Sequence, residues 1–331
     1  MRLHSIVARK ISRRGNTVSD ITVDQLIEIL SGDPEELGTH LTLVKRDIAV
    51  ADCKTTLHVH SLTIDAMGRV KLARLAEYMR DTLTDYAIPR QKLQSAKERD
   101  TKFKQSSAVT KLHHEAINLF TDLAKTGEGG EMLLYLLAER FLKLPQVLCK
   151  MDLKTDTAMH YHGADGVYAS VTDDGVLKLY WGESKIFKDA SDAIRECLAS
   201  LTPFLLEPDA ETAARERDLI LLSDKADLND PQLTQAFRKY FDTSSPKSNR
   251  VIYCGIALVG FDCDCYPPKT AKAIASEVVE KAEAAIDALV KQIKNRASTE
   301  KVHEIEIEFL CVPLPSADEF RDAFLTALGK K

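Results

Sequence analysis

The most constraining feature of the sequence is an uninterrupted apolar stretch, VIYCGIALVGF, at residues 251–261. A strand that is apolar on both faces must be covered on both faces, as happens when helices flank a sheet. A long helical pattern at residues 271–296 and an alternating strand pattern at residues 303–314 follow it. The C-terminal part of the chain therefore predicts a buried sheet covered by helices.

The segment before this stretch predicts the rest of the sheet. A helical pattern at residues 130–144 precedes a short strand at 146–154, two strands within 163–187 and an amphipathic helix at 189–206. Three consecutive strands form a meander, and the helix after them crosses over to the next strand as in a βαβ unit. We therefore expect an α/β fold with a mixed β-sheet flanked by helices.

The same patterns divide the chain into regions. Residues 1–90 predict a smaller N-terminal α+β unit, and residues 91–115 a basic connecting segment. Residues 116–331 predict the main α/β domain, with a charged helical insertion at residues 207–250. The basic segment either follows a phosphate backbone or forms a solvated helix face, and the sequence leaves both readings open.

Charge and cysteine usage limit the class of protein. The net charge of −5 is not that of a general nucleic-acid binder, so any such role needs a local basic face. The seven cysteines are scattered without paired spacing, which indicates reduced thiols. The sequence has no secretory signal and no apolar run of membrane-spanning length. We therefore expect a cytoplasmic protein.

Three charges stand on the predicted hairpin GADGVYASVTDDGVLKLYWGESKIF, at residues 163–187. Glu183 and Lys185 share one face of their strand because side chains alternate. A three-residue loop at 173–175 would place Asp165 directly opposite Glu183, about 5 Å away at Cβ. A two-residue loop would instead place Ser184 opposite Asp165, and a bulge would also shift the register. The three-residue loop is favoured because its last residue is glycine.

Two facing carboxylates repel each other unless a cation lies between them. Mg²⁺ or Mn²⁺ suits such an all-oxygen site, and Lys185 would then face the same centre. Glu131, in the first turn of the helix that begins GEGGE at residue 127, adds a third carboxylate. The plainer readings are an Asp–Lys ion pair on an exposed sheet face and a helix-dipole interaction at Glu131.

At this point the residues resemble the PD-(D/E)XK nuclease superfamily. The runs GEGGEMLLYLLAERFLKLPQVLCKMDLKT, HGADGVY and LYWGESKIF resemble, more narrowly, the HamA family, the nuclease subunit of the Hachiman anti-phage defence system, and DYAIPR at residues 85–90 is similar too. One departure is that Ala164, not proline, precedes Asp165. The resemblance implies an effector nuclease that a superfamily-2 helicase partner, HamB, controls. The N-terminal unit is then the expected docking surface.

The resulting prediction is a cytoplasmic, metal-dependent DNA endonuclease. Asp165 and Glu183 would bind Mg²⁺ or Mn²⁺, Glu131 would complete the acidic set, and Lys185 would activate water or stabilise the transition state. The expected DNA contacts are Lys150, Lys154, His162 and Lys188.

Rival readings remain. The chain would otherwise be an inactive nuclease-fold docking or sensor subunit, or a sugar- or nucleotide-hydrolysing enzyme, which needs a pocket motif that the sequence does not show. A zinc site at His160 and His162 lacks a cysteine pair or a third histidine at ligand spacing.

Overall fold

A single mixed β-sheet organises the chain. The structure is a computed structural model that describes residues 21–120, 127–149, 151, 163–206 and 214–331. Its seven strands lie in the order β1-β2-β7-β6-β5-β4-β3. They are β1 Leu41–Ala49, β2 Thr55–Leu62, β3 Gln146–Leu148, β4 Gly166–Val171, β5 Leu177–Phe187, β6 Val251–Asp262 and β7 Ile307–Leu314. Strands β3, β4 and β5 form an antiparallel meander, and β5, β6, β7 and β2 are parallel neighbours. The predicted α/β fold is confirmed.

Helices cover the sheet on both sides. The α-helices in the described residues are α1 Val23–Ile27, α2 Pro34–Leu37, α3 Leu72–Asp81, α4 Leu83–Ala87, α5 Arg90–Phe103, α6 Ser107–Asn118, α7 Glu128–Leu136, α8 Ala190–Leu205, α9 Ala214–Lys225, α10 Pro231–Arg238, α11 Ala275–Ala284, α12 Ile286–Thr299 and α13 Ala317–Ala327. A π-helix, Leu137–Phe141, directly follows α7, and a short 3₁₀ helix, Pro246–Asn249, precedes β6. The long helix expected after β6 is divided into α11 and α12 at Ala285. Within the described ranges, no helix is long and apolar enough to cross a membrane.

Strand β6 explains why the apolar stretch has no polar face. Cys254, Ile256 and Leu258 pack in the cluster that includes α7 and α13, on one side of the sheet. Ala257 and Val259 pack in the cluster that includes α8 and α12, on the other side. Both faces of β6 are therefore buried, as the sequence predicts.

The N-terminal strands belong to this same sheet. Strand β2 pairs in parallel with β7, with Thr55 opposite Ile307. The predicted boundary near residue 90 therefore does not divide the sheet. His58 and His60 on β2 are only 1% and 3% exposed. Both rings lie edge-on to Phe141, so this face of β2 is packed and not solvated.

Candidate active site

The register of the β4–β5 hairpin follows the three-residue loop. Val171 pairs with Leu177, and Gly166 pairs with Gly182. Gly175, the last residue of the loop, has φ of 76°, the left-handed conformation that such a loop requires. The two-residue alternative is excluded. The ladder of pairs ends at Gly166 and Gly182, one position before Asp165 and Glu183.

Asp165 lies where the two strands stop pairing regularly. Its backbone N–H donates to the Gly182 carbonyl at 2.8 Å. Its carboxylate Oδ2 accepts two hydrogen bonds from Ser184, from the backbone N–H at 2.8 Å and from Oγ at 2.6 Å. The side chain of Asp165 therefore accepts the strand N–H of Ser184, so the carboxylate is fixed in place. Sequence reasoning missed this role of Ser184, and its only signal is a hydroxyl between Glu183 and Lys185.

The glycines of GEGGE allow α7 to approach the sheet closely. A Cβ atom on Gly130 would lie 3.0 Å from Ser184 Oγ and 3.2 Å from Ile186 Cγ1. A Cβ atom on Gly129 would lie 3.1 Å from Phe320 Cε1 on α13. The start of α7 is thus packed against both β5 and α13, and a side chain at either position would require its neighbours to shift by a few tenths of an ångström.

Glu131 projects from this first turn of α7. The hydroxyl of Tyr86, on α4, donates to Glu131 Oε2 at 3.2 Å. Burial raises the pKa of Tyr86 well above its usual value, and the nearby charges of Glu131 and Asp165 raise it further. Tyr86 therefore remains a neutral hydrogen-bond donor that orients the Glu131 carboxylate.

Glu183 and Lys185 form an ion pair along one strand. Lys185 Nζ lies 2.5 Å from Glu183 Oε1, and the two side chains are 24% and 7% exposed, respectively. Burial alone would lower the pKa of Lys185, but attraction to Glu183, a hydrogen bond to Glu183 and attraction to Asp165 together raise it. Lys185 therefore carries its positive charge at neutral pH, next to two carboxylates.

A cavity of about 930 Å³ brings most of these groups together. Its walls are the start of α7, the second half of β5 with the loop that follows, and α13. Glu131, Asp165 and Lys185 all line it, whereas Glu183 does not and contacts Lys185 instead. Among the described residues, the charged lining groups are six acids, Glu131, Asp165, Asp189, Asp192, Asp318 and Asp322, and three bases, Lys185, Lys188 and Arg321. The cavity is therefore acidic.

The donors in this cavity suit a hard divalent cation. They are carboxylate oxygens, which Mg²⁺ and Mn²⁺ prefer. Across the part of the chain that the structure describes, no group of three His, Cys, Asp or Glu side chains is placed to hold a metal ion. The three predicted ligands are thus not gathered into one cluster. Magnesium is commonly held by one or two carboxylates with water and substrate phosphate, and Glu131 and Asp165 fit that smaller set.

One of the four predicted DNA contacts, Lys188, lies in the described residues. Lys188 is on the cavity wall, with a 70% exposed side chain, and its Nζ lies 2.7 Å from Asp318 Oδ2. The hydrogen bond to Asp318 and the charge of Asp318 raise the pKa of Lys188. The other three predicted contacts lie outside the described residues: Lys150, Lys154 and His162.

A second charged network is centred on Arg90, the last residue of the run DYAIPR. Sequence reasoning found no role for this run. Arg90, at its end, forms a buried ion pair with Glu139. Its guanidinium also donates to the Ile29 carbonyl at 2.6 Å and to Ser31 Oγ at 2.8 Å. Glu139 in turn accepts the Gln146 backbone N–H at 2.8 Å. This network joins the segment before β1, the start of α5, the π-helix that follows α7, and β3.

Comparison with known proteins agrees with this architecture. No curated protein matches the chain. A family model described as HamA matches residues 39–328 of the 331-residue chain. The match includes every strand of the sheet and all four candidate site residues, together with Ser184, Arg90 and Glu139. The chain therefore belongs to the HamA family, which is part of the Hachiman anti-phage defence system.

Proposed function

We propose that this chain is the metal-dependent DNA endonuclease of its defence system. The observation that supports this most directly is the position of Lys185. Its ammonium group lines the cavity beside Asp165 and next to Glu183, at the point where the β4–β5 ladder ends. A lysine cation beside carboxylates in an acidic cavity suits the metal-assisted hydrolysis of a phosphodiester.

The carboxylates provide the binding site for Mg²⁺ or Mn²⁺. Asp165 and Glu131 would hold the cation from the cavity walls, and Glu183 would join them on leaving Lys185. When bound, such a cation polarises a phosphoryl oxygen and lowers the pKa of a water molecule. Ser184 holds Asp165 in position, and Tyr86 holds Glu131, so both carboxylates are oriented before substrate arrives.

Lys185 acts as a stabiliser of charge. Because its pKa is raised, it does not accept a proton from water near neutral pH. Its ammonium group lines the cavity beside Asp165, where it can donate hydrogen bonds to phosphate oxygens as negative charge develops on them. Of the two roles predicted for it, transition-state stabilisation is the one that its protonation state supports.

A helicase-like ATPase partner would control this activity. Residues 1–90 are the proposed docking region, and β1 forms one edge of the sheet with Leu43 44% exposed. Deleting the whole region would also remove β2 from beside β7 and Tyr86 from Glu131. A substitution such as Leu43→Glu therefore tests docking better. We expect weaker copurification with the partner and an unchanged melting temperature.

The decisive experiment is cleavage of plasmid DNA by the chain, alone and with its helicase partner. Cleavage should require Mg²⁺ or Mn²⁺ and stop when EDTA is added, because the donor set is all oxygen. Full activity in the chelator would overturn the metal-dependent mechanism.

The rival function is an inactive docking subunit, which the lack of a three-ligand cluster in the described residues favours. It predicts that phage protection survives Lys185→Ala as long as the complex assembles.

A further inference from the structure

The acidic cavity raises the question of what holds DNA. Its described lining has six acids against three bases, and the whole chain has a net charge of −5. A polyanion is bound mainly through lysine and arginine contacts to phosphates. The cations of the cavity are also engaged with acids, since Lys185 contacts Glu183 and Lys188 contacts Asp318. Affinity for DNA must therefore come largely from another surface.

The hairpin formed by α5 and α6 has the opposite charge. Residues 91–111 contain six Lys or Arg and two acids, a net charge of +4. One of the acids, Asp100, is buried and accepts the backbone N–H groups of Ala108 and Val109 at 3.0 and 2.9 Å. The other, Glu98, accepts a hydrogen bond from Gln94. The hairpin therefore keeps a net positive charge, although Lys92 is paired with Glu115 of α6.

Several of these cations lie on one side of the hairpin. Lys92 of α5 is ion-paired with Glu115 of α6 at 2.5 Å, which identifies the adjoining faces of the two helices. Arg99 is seven residues after Lys92, so both lie on the same face of α5. Lys111 is four residues before Glu115, so both lie on the same face of α6. Both positions are exposed and lie toward the turn that joins the helices.

The turn itself combines charge with an aromatic ring. Phe103 is 62% exposed between Lys102 and Lys104. Lys102 Nζ lies 5.5 Å from the centre of the Phe103 ring. A large exposed aromatic side chain flanked by lysines contributes little to folding, but it is well suited to stack on a nucleic-acid base. We name Arg99, Lys102, Phe103, Lys104 and Lys111 the basic tip.

The base of the hairpin adjoins the cavity. Tyr86, shortly before α5, donates to Glu131, and Phe120, shortly after α6, packs against Phe324 of the cavity wall with ring centres 5.9 Å apart. Helix α5 has 14 residues. At 1.5 Å per residue it is about 20 Å long, a distance that a DNA strand covers in about six nucleotides. One DNA molecule can therefore reach both places.

We propose that the basic tip binds single-stranded DNA, with its cations on the phosphates and Phe103 stacked on a base. Unpaired bases are favoured because base pairing hides the ring faces that an aromatic side chain contacts. The proposal rests on the proposed function only in taking DNA as the substrate. The tip would hold a strand whose neighbouring nucleotides occupy the cavity.

The test measures binding without cleavage. Fluorescence anisotropy of the full chain in EDTA would use a labelled oligothymidylate and a labelled duplex of the same length. The double variant Lys102→Gln/Lys104→Gln should weaken binding to both by about tenfold, and should reduce the slope of log affinity against log salt for the single strand by about 1.4. Phe103→Ala should weaken single-strand binding by about tenfold and leave duplex binding within twofold.

A matched control is Lys291→Gln/Lys301→Gln. Like the tip pair, it removes one lysine from a helix and one with positive φ, since Lys104 has φ of 52° and Lys301 has φ of 61°. This control should bind DNA like the unaltered chain. The proposal is overturned if the unaltered chain does not bind DNA at low salt. It is also overturned if Lys102→Gln/Lys104→Gln keeps the affinity and salt slope of the unaltered chain, or if the control variant loses as much affinity as this variant does.

The same series separates this proposal from the nuclease assignment. Binding that depends on the tip, without any cleavage in Mg²⁺, would support the tip and count against the nuclease. Cleavage in Mg²⁺, together with DNA binding that the tip substitutions do not change, would support the nuclease and count against the tip. Circular dichroism of each variant shows whether it is folded.

Discussion

Two buried ion pairs with similar chemistry show how the chain separates stability from function. Arg90 and Glu139 are far apart in sequence and, with side chains 14% and 0% exposed, join four parts of the fold. Lys185 and Glu183 are two residues apart on one strand, with side chains 24% and 7% exposed. Their pairing connects no distant segments, and Lys185 lines a cavity. In our proposal, the first pair stabilises the fold and the second presents a cation to the substrate.

The largest expected effect comes from breaking the first pair. Arg90→Ala leaves Glu139 buried without its cation, which should lower the free energy of unfolding by about 3–5 kcal/mol. Urea denaturation measures the loss. Arg140→Ala is a useful control, because Arg140 pairs with the half-exposed Glu36 and should cost less. An unchanged midpoint for Arg90→Ala would mean that the network does not hold the fold.

Breaking the second pair should affect activity and spare the fold. Lys185→Ala should reduce DNA cleavage by about 10²–10³-fold, on the order of 3 kcal/mol, and should lower the melting temperature less than Arg90→Ala does. The matched control is Lys178→Ala on the same strand, where Lys178 is also 24% exposed and pairs with Glu306. Equal activity loss in both variants would remove the special role of Lys185.

A smaller effect should follow from loosening Asp165. Ser184→Ala removes the hydroxyl that bonds its carboxylate but keeps the backbone N–H bond, so cleavage should fall about tenfold, in line with about 1.5 kcal/mol for a hydrogen bond to a charged group. Because the loss acts through Asp165, a higher Mg²⁺ concentration should restore part of it. A loss of cleavage that no Mg²⁺ concentration relieves would contradict the role of Ser184 in positioning Asp165. Ser170→Ala, on the neighbouring strand β4, is the control.

The smallest expected effect is a difference in alkaline stability. The pKa of Lys185 is raised in the folded chain, so its pairing contributes stability below the ordinary lysine pKa, about 10.4. This contribution is lost as the pH rises through the raised value. The unaltered chain should therefore lose stability relative to Lys185→Met as the pH passes above 10.4, whereas the guanidinium of Arg90 stays charged. The free energy of unfolding of both proteins, measured as a function of pH, checks this. A difference between the two proteins that stays constant at all pH values would contradict the prediction.

Local features of the site could be predicted from the sequence, and features that join distant segments could not. The hairpin register depends on a loop of three residues ending in Gly175, so neighbouring residues determine it. Alternation alone also placed Glu183 and Lys185 together. The bond from Ser184 to Asp165 depends on where the ladder ends, which no local pattern encodes. The pairing of Arg90 with Glu139 depends on packing between residues 49 positions apart.

The burial of His58 and His60 shows the same limit. Their alternating pattern is that of a strand with one polar face, and the sequence gives no indication that Phe141 covers it. The predicted division at residue 90 rests on local strand and helix patterns. Parallel pairing between β2 and β7 crosses that division and leaves no compositional signal.

The pairing of Thr55 with Ile307 also has a consequence for how the chain folds. Contacts between residues so far apart in sequence make folding slow, because a long loop must close before they form. At 5–20 residues per second, a ribosome needs roughly 13–50 seconds to reach Ile307 after Thr55. Helix α13, which supplies one wall of the cavity, follows β7 and is synthesised later still. A nascent chain therefore carries the charged residues of β5 long before it has a complete cavity around them.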